Sequence, residues 1–155
     1  MGVEIERKFL VINDSWKKYT TGYGLIHQAY IAAGPGGIVR VRTNDIYAVG
    51  TLTIKGPRVG LTCAEYEYEI PKEDAEAMML SPMREGRVLQ KFRHVCLFKD
   101  HVWEVDEFLW SLAGLTIAEI ELGSEDERFE MPPLIGIEVS HDRSYTNVVL
   151  AGAME

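Results

Sequence analysis

Seven short segments of this 155-residue chain place charged or polar side chains at every second position. The first is Val3-Glu4-Ile5-Glu6-Arg7-Lys8-Phe9-Leu10-Val11. Side chains of an extended strand alternate between two faces. Glu4, Glu6 and Lys8 therefore share one face, and Val3, Ile5, Phe9 and Val11 share the other, with Arg7 as the exception. The same parity sets Arg40 and Arg42 against Val39 and Val41, and Lys55, Thr53 and Thr51 against Leu52 and Ile54. It sets Glu65, Glu67 and Glu69 against Ala64, Tyr66, Tyr68 and Ile70. Lys91 pairs with Arg93, Glu104 with Asp106 opposite Trp103 and Val105, and Glu119 with Glu121 opposite Ile120 and Leu122.

For a single strand the plain explanation is a solvated outer face dressed with charge, since charged residues are mostly exposed. Seven strands whose polar face is mostly Glu, Lys and Arg point instead to a sheet closed on itself, with a charged lumen and an apolar exterior. Isolated charges in such a lumen cost several kcal/mol each. Interleaving acids and bases offsets part of that cost, and water, metal ions or a charged ligand must offset the rest. Lys8, Arg40, Arg42, Lys55, Lys91 and Arg93 suit a polyanion such as linked phosphates. The clustered carboxylates suit hard divalent cations such as Mg²⁺ or Mn²⁺. Bases for phosphate oxygens together with carboxylates for metal are the equipment of phosphoryl-transfer sites.

The elements that must position these groups are mostly strands: residues 2–11, 26–33, 38–43, 47–55, 62–70, 87–98, 101–108 and 115–122. Gly34-Pro35-Gly36-Gly37 and Gly56-Pro57 end strands, and Lys99-Asp100 joins a hairpin. Pro71 followed by acids and good helix formers predicts a helix over 71–80. Shorter helices are predicted over 14–19, with Asp14 as N-cap, and over 124–130, stopped by Pro132-Pro133. The tail from 138 to 151 is ambiguous, with Asp142 able to cap a last helix. The expected class is α+β, mainly antiparallel β: about eight strands closed into a tunnel-like barrel with peripheral helices.

Length and a 46% hydrophobic content predict a single domain over 1–155 with its own core. No apolar run reaches membrane-spanning length, and the charged first strand leaves no room for a signal peptide. Two cysteines without a Cys-x-x-Cys predict reduced thiols and a cytoplasmic protein. A net charge of −8 argues against a general nucleic-acid surface, yet leaves room for an anionic ligand in a locally basic cleft.

The ordered set of motifs resembles the CYTH domain, or triphosphate tunnel metalloenzyme family. The resemblance begins with Glu4-x-Glu6-x-Lys8 and continues through Gln28-Ala29-Tyr30, Arg40-Val41-Arg42, Thr53-Ile54-Lys55-Gly56 and Glu65-Tyr66-Glu67. It extends to Lys91-Phe92-Arg93, Glu104-Val105-Asp106 and Glu119-Ile120-Glu121. The resemblance implies an eight-stranded tunnel that binds a triphosphate through Lys8, Arg40, Arg42, Lys55, Lys91 and Arg93. It implies metal held by Glu4, Glu6, Glu119 and Glu121 with Asp106 nearby, one ion orienting substrate and a second activating water. Glu65 and Glu67 would position bases or contribute to the second ion. The chain departs from the pattern at Cys63, where many members carry Arg before the strand-five acids; either Arg58 substitutes from the preceding loop or one phosphate contact is absent. In the tail, Ser144 and Thr146 replace basic or hydroxyl positions, leaving Arg143 as the basic residue able to assist water activation.

Other features have plainer explanations. Cys63 lacks a neighbouring His for nucleophilic chemistry, and Cys96 reads as core. The four histidines lack zinc-ligand spacing. Gly34–Gly37 lacks the Lys-Ser/Thr and helix of a phosphate loop. Trp16, Trp103, Trp110, Met78, Met79 and Leu80 read as packing, and Glu73, Asp74 and Glu76 as a solvated helix face. The favoured expectation is a Mg²⁺- or Mn²⁺-dependent hydrolase of inorganic tripolyphosphate. The alternatives are a CYTH-type adenylate cyclase, a thiamine triphosphatase, or a module that binds polyphosphate or nucleotide without turnover. The apolar exterior needs cover from helices or a second copy, which is compatible with a homodimer.

Overall fold

Each alternating segment is a strand in the computed structural model, which describes residues 2–133 and 135–155. The strands are β1 (Val3–Val11), β2 (Thr20–Gly34), β3 (Gly37–Asn44), β4 (Val49–Lys55) and β5 (Thr62–Pro71). They continue with β6 (Glu85–Phe98), β7 (His101–Phe108), β8 (Thr116–Glu121) and β9 (Ile135–Glu138). Eight form an antiparallel ring in the order β5-β4-β3-β2-β6-β7-β8-β1, closed by a pairing of β1 with β5. The expected closed eight-stranded barrel is therefore present.

The closing seam is short. One edge of β1 pairs with β8 from Glu6 to Leu10. The other edge is divided: Val3, Glu4 and Ile5 pair with Ala64, Cys63 and Thr62, while Phe9 and Val11 pair with the added strand β9.

Parity turns the apolar residues outward, as expected, and three covers bury most of them. The amphipathic helix α1 (Lys72–Leu80) lays Ala75 and Met79 on Ala29 and Val41 of β2 and β3. A 3-10 helix over Ser15–Tyr19 seats Trp16 with Phe9, Trp103, Val105 and Ile120 on the opposite flank, where Phe129 packs too. The third cover closes part of one barrel end. There Tyr30, Leu89, Phe108 and Ile117 give the lumen an apolar layer, under Tyr145, Val148 and Ala151 from the C-terminal segment and α2 (Asn147–Leu150). The lumen is thus charged through its middle rather than along its whole length. Gly86 is required at this contact: its φ is +70°, and a Cβ there would strike the Ala151 carbonyl.

The structure corrects four local expectations. β2 begins at Thr20, six residues before the predicted start, because Thr20, Gly22 and Gly24 pair with Cys96, Val95 and Arg93 although their composition is turn-like. The Asp14 side chain makes no capping bond; Asn13 Oδ1 accepts from Ser15 N at 2.9 Å instead. No helix forms over 124–130. Glu127 accepts from Gly123 N at 2.7 Å and Glu125 from Leu61 N at 2.9 Å, so these carboxylates tie down a turn. The strand β9 was not expected, and the ambiguous tail that follows it resolves into a 3-10 turn over Arg143–Tyr145, capped by Asp142, and the single turn of α2. The Lys99-Asp100 hairpin turn is as expected, both residues having positive φ. No helix among the described residues is long and apolar enough to cross a membrane.

Candidate active site in the charged tunnel

The barrel has a cavity at each end. The larger, about 510 Å³, is walled by Glu6, Lys8, Tyr30, Arg40, Lys55, Arg58 and Cys63, with His141, Arg143 and Asn147 at its mouth. The other, about 470 Å³, has Arg42, Arg93, Glu67 and Glu104 at its base and Tyr23, Tyr47 and Tyr68 around its rim. Five of the six predicted phosphate bases therefore line a cavity. Lys91 does not: it is fully buried, its Nζ 2.7 Å from Asp106 Oδ2 and donating to Asn147 Oδ1 at 3.1 Å.

Asp106 is the hub of the tunnel wall. Its two oxygens accept from Arg93 Nε and Nη2, each at 2.8 Å, in addition to contacting Lys91. Arg93 also pairs with Glu104. Burial alone would raise the Asp106 pKa, but the Arg93 and Lys91 cations hold it down at about 2. Burial pulls the Lys91 ammonium down to about 7 against the attraction of Asp106. Both Asp106 oxygens thus contact bases in this arrangement.

The other bases are held by a ladder of polar groups. Arg40 Nη2 donates to Thr53 Oγ1 at 3.1 Å, and that hydroxyl donates to Glu67 Oε2 at 2.9 Å. Arg40 Nε is buried with no partner among the described residues, a donor left over for a ligand oxygen. Arg42 Nε and Nη2 both donate to Gln28 Oε1, whose amide nitrogen donates to Tyr30 OH. Lys55 Nζ lies 2.7 Å from Glu4 Oε2 and 3.1 Å from Glu65 Oε2. Glu65 and Glu67 thus position Lys55 and Arg40. Arg143 is exposed at the cavity mouth, donating to the backbone oxygen of Glu155.

The four remaining carboxylates come from adjacent strands. Register places Glu6 opposite Glu121, Lys8 opposite Glu119, and Glu4 opposite Cys63. Burial, then the neighbouring Glu119, raises the Glu6 pKa to about 7. Glu119 moves the other way, held well below the usual carboxylate range against burial by the Lys8 and Arg93 cations. Burial and the charge of Glu4 also raise Glu121. Among the described residues no three metal-ligating side chains converge closely enough to hold an ion as placed. Lys55 and Arg58 occupy Glu4, and Arg58 also reaches Glu6 at 3.4 Å. The donor set nonetheless fits a hard divalent cation: four carboxylates stand on two adjacent strands, and the raised pKa of Glu6, about 7, leaves it partly protonated at neutral pH, a proton that a cation would displace.

That proton gives the site a pH dependence. Metal must compete with it below the raised Glu6 pKa. Affinity for Mn²⁺, titrated calorimetrically, should fall about tenfold per pH unit below pH 7 and level off above it. Titrations in buffers of different ionisation enthalpy should show about one proton released near pH 6.

Several supporting groups were not singled out from sequence as site residues. Thr53 and Asn147 carry no charge and satisfy bases that were recognised. Glu104 was visible by parity alone.

A CYTH domain matches residues 2–145. The chain belongs to the CYTH family. An inorganic triphosphatase of Acetivibrio thermocellus is 45% identical over 148 residues, spanning 95% of this chain and 92% of the relative. One from Nitrosomonas europaea is 36% identical over 157 residues, spanning 96% of each. The crystal structure of the inorganic triphosphatase NE1496 superposes with a TM-score of 0.65 at 32% identity, covering 98% of this chain and 96% of that one. The CYTH barrel thus accounts for the whole arrangement of alternating charge.

Proposed function

We infer that this chain is a metal-dependent triphosphatase, cleaving inorganic tripolyphosphate with water to pyrophosphate and phosphate. The observation that carries this reading is the convergence of Lys8, Arg40 and Lys55 with Glu6 on one cavity wall, with Glu121 and Glu119 paired opposite Glu6 and Lys8 on the adjacent strand. Lys8, Arg40 and Lys55 bind terminal phosphate oxygens, the unpaired Arg40 Nε among the donors. Arg42 and Arg93 at the far cavity hold the other end of a linear polyanion. The Asp106 hub fixes Arg93 before substrate arrives, so little reorganisation accompanies the reaction. Glu4, Glu6, Glu119 and Glu121 hold the cation, and their hard oxygen donors favour Mg²⁺ or Mn²⁺. A divalent ion there supplies a Lewis acid for phosphate oxygens and lowers the pKa of water.

The rim of the second cavity favours one further reading. Tyr47 is exposed at this rim beside Arg42 and Arg93, an aromatic face on which an organic base can stack. A nucleoside triphosphate entering there is the substrate of a cyclase or nucleotidase. Product analysis separates the readings. With Mg²⁺ or Mn²⁺, tripolyphosphate should release orthophosphate far faster than ATP or thiamine triphosphate, and EDTA should abolish release. Cyclic AMP with pyrophosphate from ATP would establish a cyclase, and tight binding without product would establish a binding module.

The proposal extends to the setting. Two free thiols, Cys63 and Cys96, support a reducing cytoplasm. The outward strip of Ile54, Tyr66 and Tyr68 supports a homodimer as its cover.

A further inference from the structure

One cation enters the tunnel from a loop rather than a strand. Arg58 lies between β4 and β5 in a segment closed by reciprocal backbone bonds between Val59 and Thr62. Gly60 makes its turn at a φ of +63°, and Glu125 Oε1 accepts from Leu61 N and Thr62 Oγ1 at 2.9 and 3.0 Å. Arg58 Nη1 donates to Leu61 O at 2.6 Å, which fixes the direction of the guanidinium. Its Nη2 then lies 3.1 Å from Glu4 Oε2, 3.4 Å from Glu6 Oε1 and 3.6 Å from Cys63 Sγ. Two hydrogens face three acceptors, and two of those contacts are long. The group is aimed at the cavity wall without being saturated there.

The wall has room for it because position 63 is short. Cys63 is buried on β5 directly opposite Glu4 and lines the same cavity as Lys8, Arg40 and Lys55. A longer side chain at 63 would fill the space that the Arg58 guanidinium now occupies.

We propose that Arg58 is a substrate-binding residue, delivered by the loop to the place that Cys63 leaves empty. It rests on Glu4 and Glu6 in the free protein. When the polyanion enters the cavity, it passes from those carboxylates to a phosphate oxygen of the substrate. This rests on the triphosphatase reading, which unmodified protein tests independently by metal-dependent phosphate release from tripolyphosphate.

The test is Arg58→Ala, with Arg58→Gln as a second variant that keeps a polar side chain of similar reach if the first folds poorly. Either should raise KM for tripolyphosphate about ten- to hundredfold, the worth of a charge-assisted hydrogen bond, with kcat within about threefold. Calorimetric binding of tripolyphosphate in EDTA, which needs no turnover, should weaken as well. Adding Cys63→Arg to either variant should restore both KM and metal-free binding, because a guanidinium from β5 would reach the same wall. Unchanged KM and metal-free affinity in a folded variant, with only tighter Mn²⁺ binding, would reduce Arg58 to a counter-ion and overturn the proposal. Failure of Cys63→Arg to restore binding in a folded double variant would overturn the placement.

Discussion

Glu6→Gln lowers kcat for tripolyphosphate about a thousandfold or more while leaving the barrel at least as stable as before. The loss follows from its place among the carboxylates, opposite Glu121 in register and next to Glu119. An amide is a poor ligand for a hard divalent ion and cannot supply the charge that the site needs. The stability gain follows from the same crowding. The folded-state pKa of Glu6 is about 7, above its ordinary 4.5. Between those values the folded protein keeps a proton that the unfolded chain has released, so stability falls as pH rises through this window and the penalty is complete above pH 7. Gln carries no charge and escapes it. Thermal melts at pH 8 without metal should therefore place Glu6→Gln at or above the parent, and Mn²⁺ titration should show lost affinity. A variant that melts lower and retains metal would remove Glu6 from the cation site.

Asp106→Asn is the opposite case, destabilising first and catalytically impaired as a result. The carboxylate is fully buried and bonded to both Arg93 and Lys91. Breaking a buried ion pair by removing one partner costs about 3–5 kcal/mol, because the remaining charges are left uncompensated. The depressed Asp106 pKa gives the same sign: its contribution is present above the ordinary 3.8 and is lost as pH falls toward about 2. Urea unfolding at pH 7 should show the loss in the midpoint. Adding Lys91→Met should recover part of it, since the partner left without its carboxylate is then replaced by an apolar side chain of similar length. If Asp106→Asn unfolds like the parent and loses only metal affinity, the carboxylate serves the cation rather than the bases.

The barrel was legible because alternation is a local signal with a long reach. Once Glu4, Arg40, Glu65, Lys91 and Glu119 are assigned to one face, a two-residue period leaves no other arrangement for their neighbours. Partnership within the lumen was not legible. Nothing in the spacing of Glu104 and Asp106 says that one carboxylate is consumed by Lys91 and Arg93, while Glu6 keeps a proton beside Glu119. Those facts depend on strand stagger. The partner of Thr53 and the role of Asn147 were silent because the value of a neutral group lies in a distance, not a charge. The start of β2 was hidden by its glycines, and the turn over 124–130 by acids that mimic a helix start. Both are settled by partners far away in sequence, Cys96 and Leu61.

The short seam between β1 and β5 makes the barrel a clasp. Three residue pairs close the ring, and the middle pair carries Glu4, which Lys55 and Arg58 grip from β4 and from the loop that leads into β5. The strand that fastens the ring is thus also a strand that feels the charge inside it. A site stripped of counter-charge would loosen its own fastening, and a filled one would tighten it. The working state of the enzyme and the mechanical integrity of its wall are then one property read from two sides.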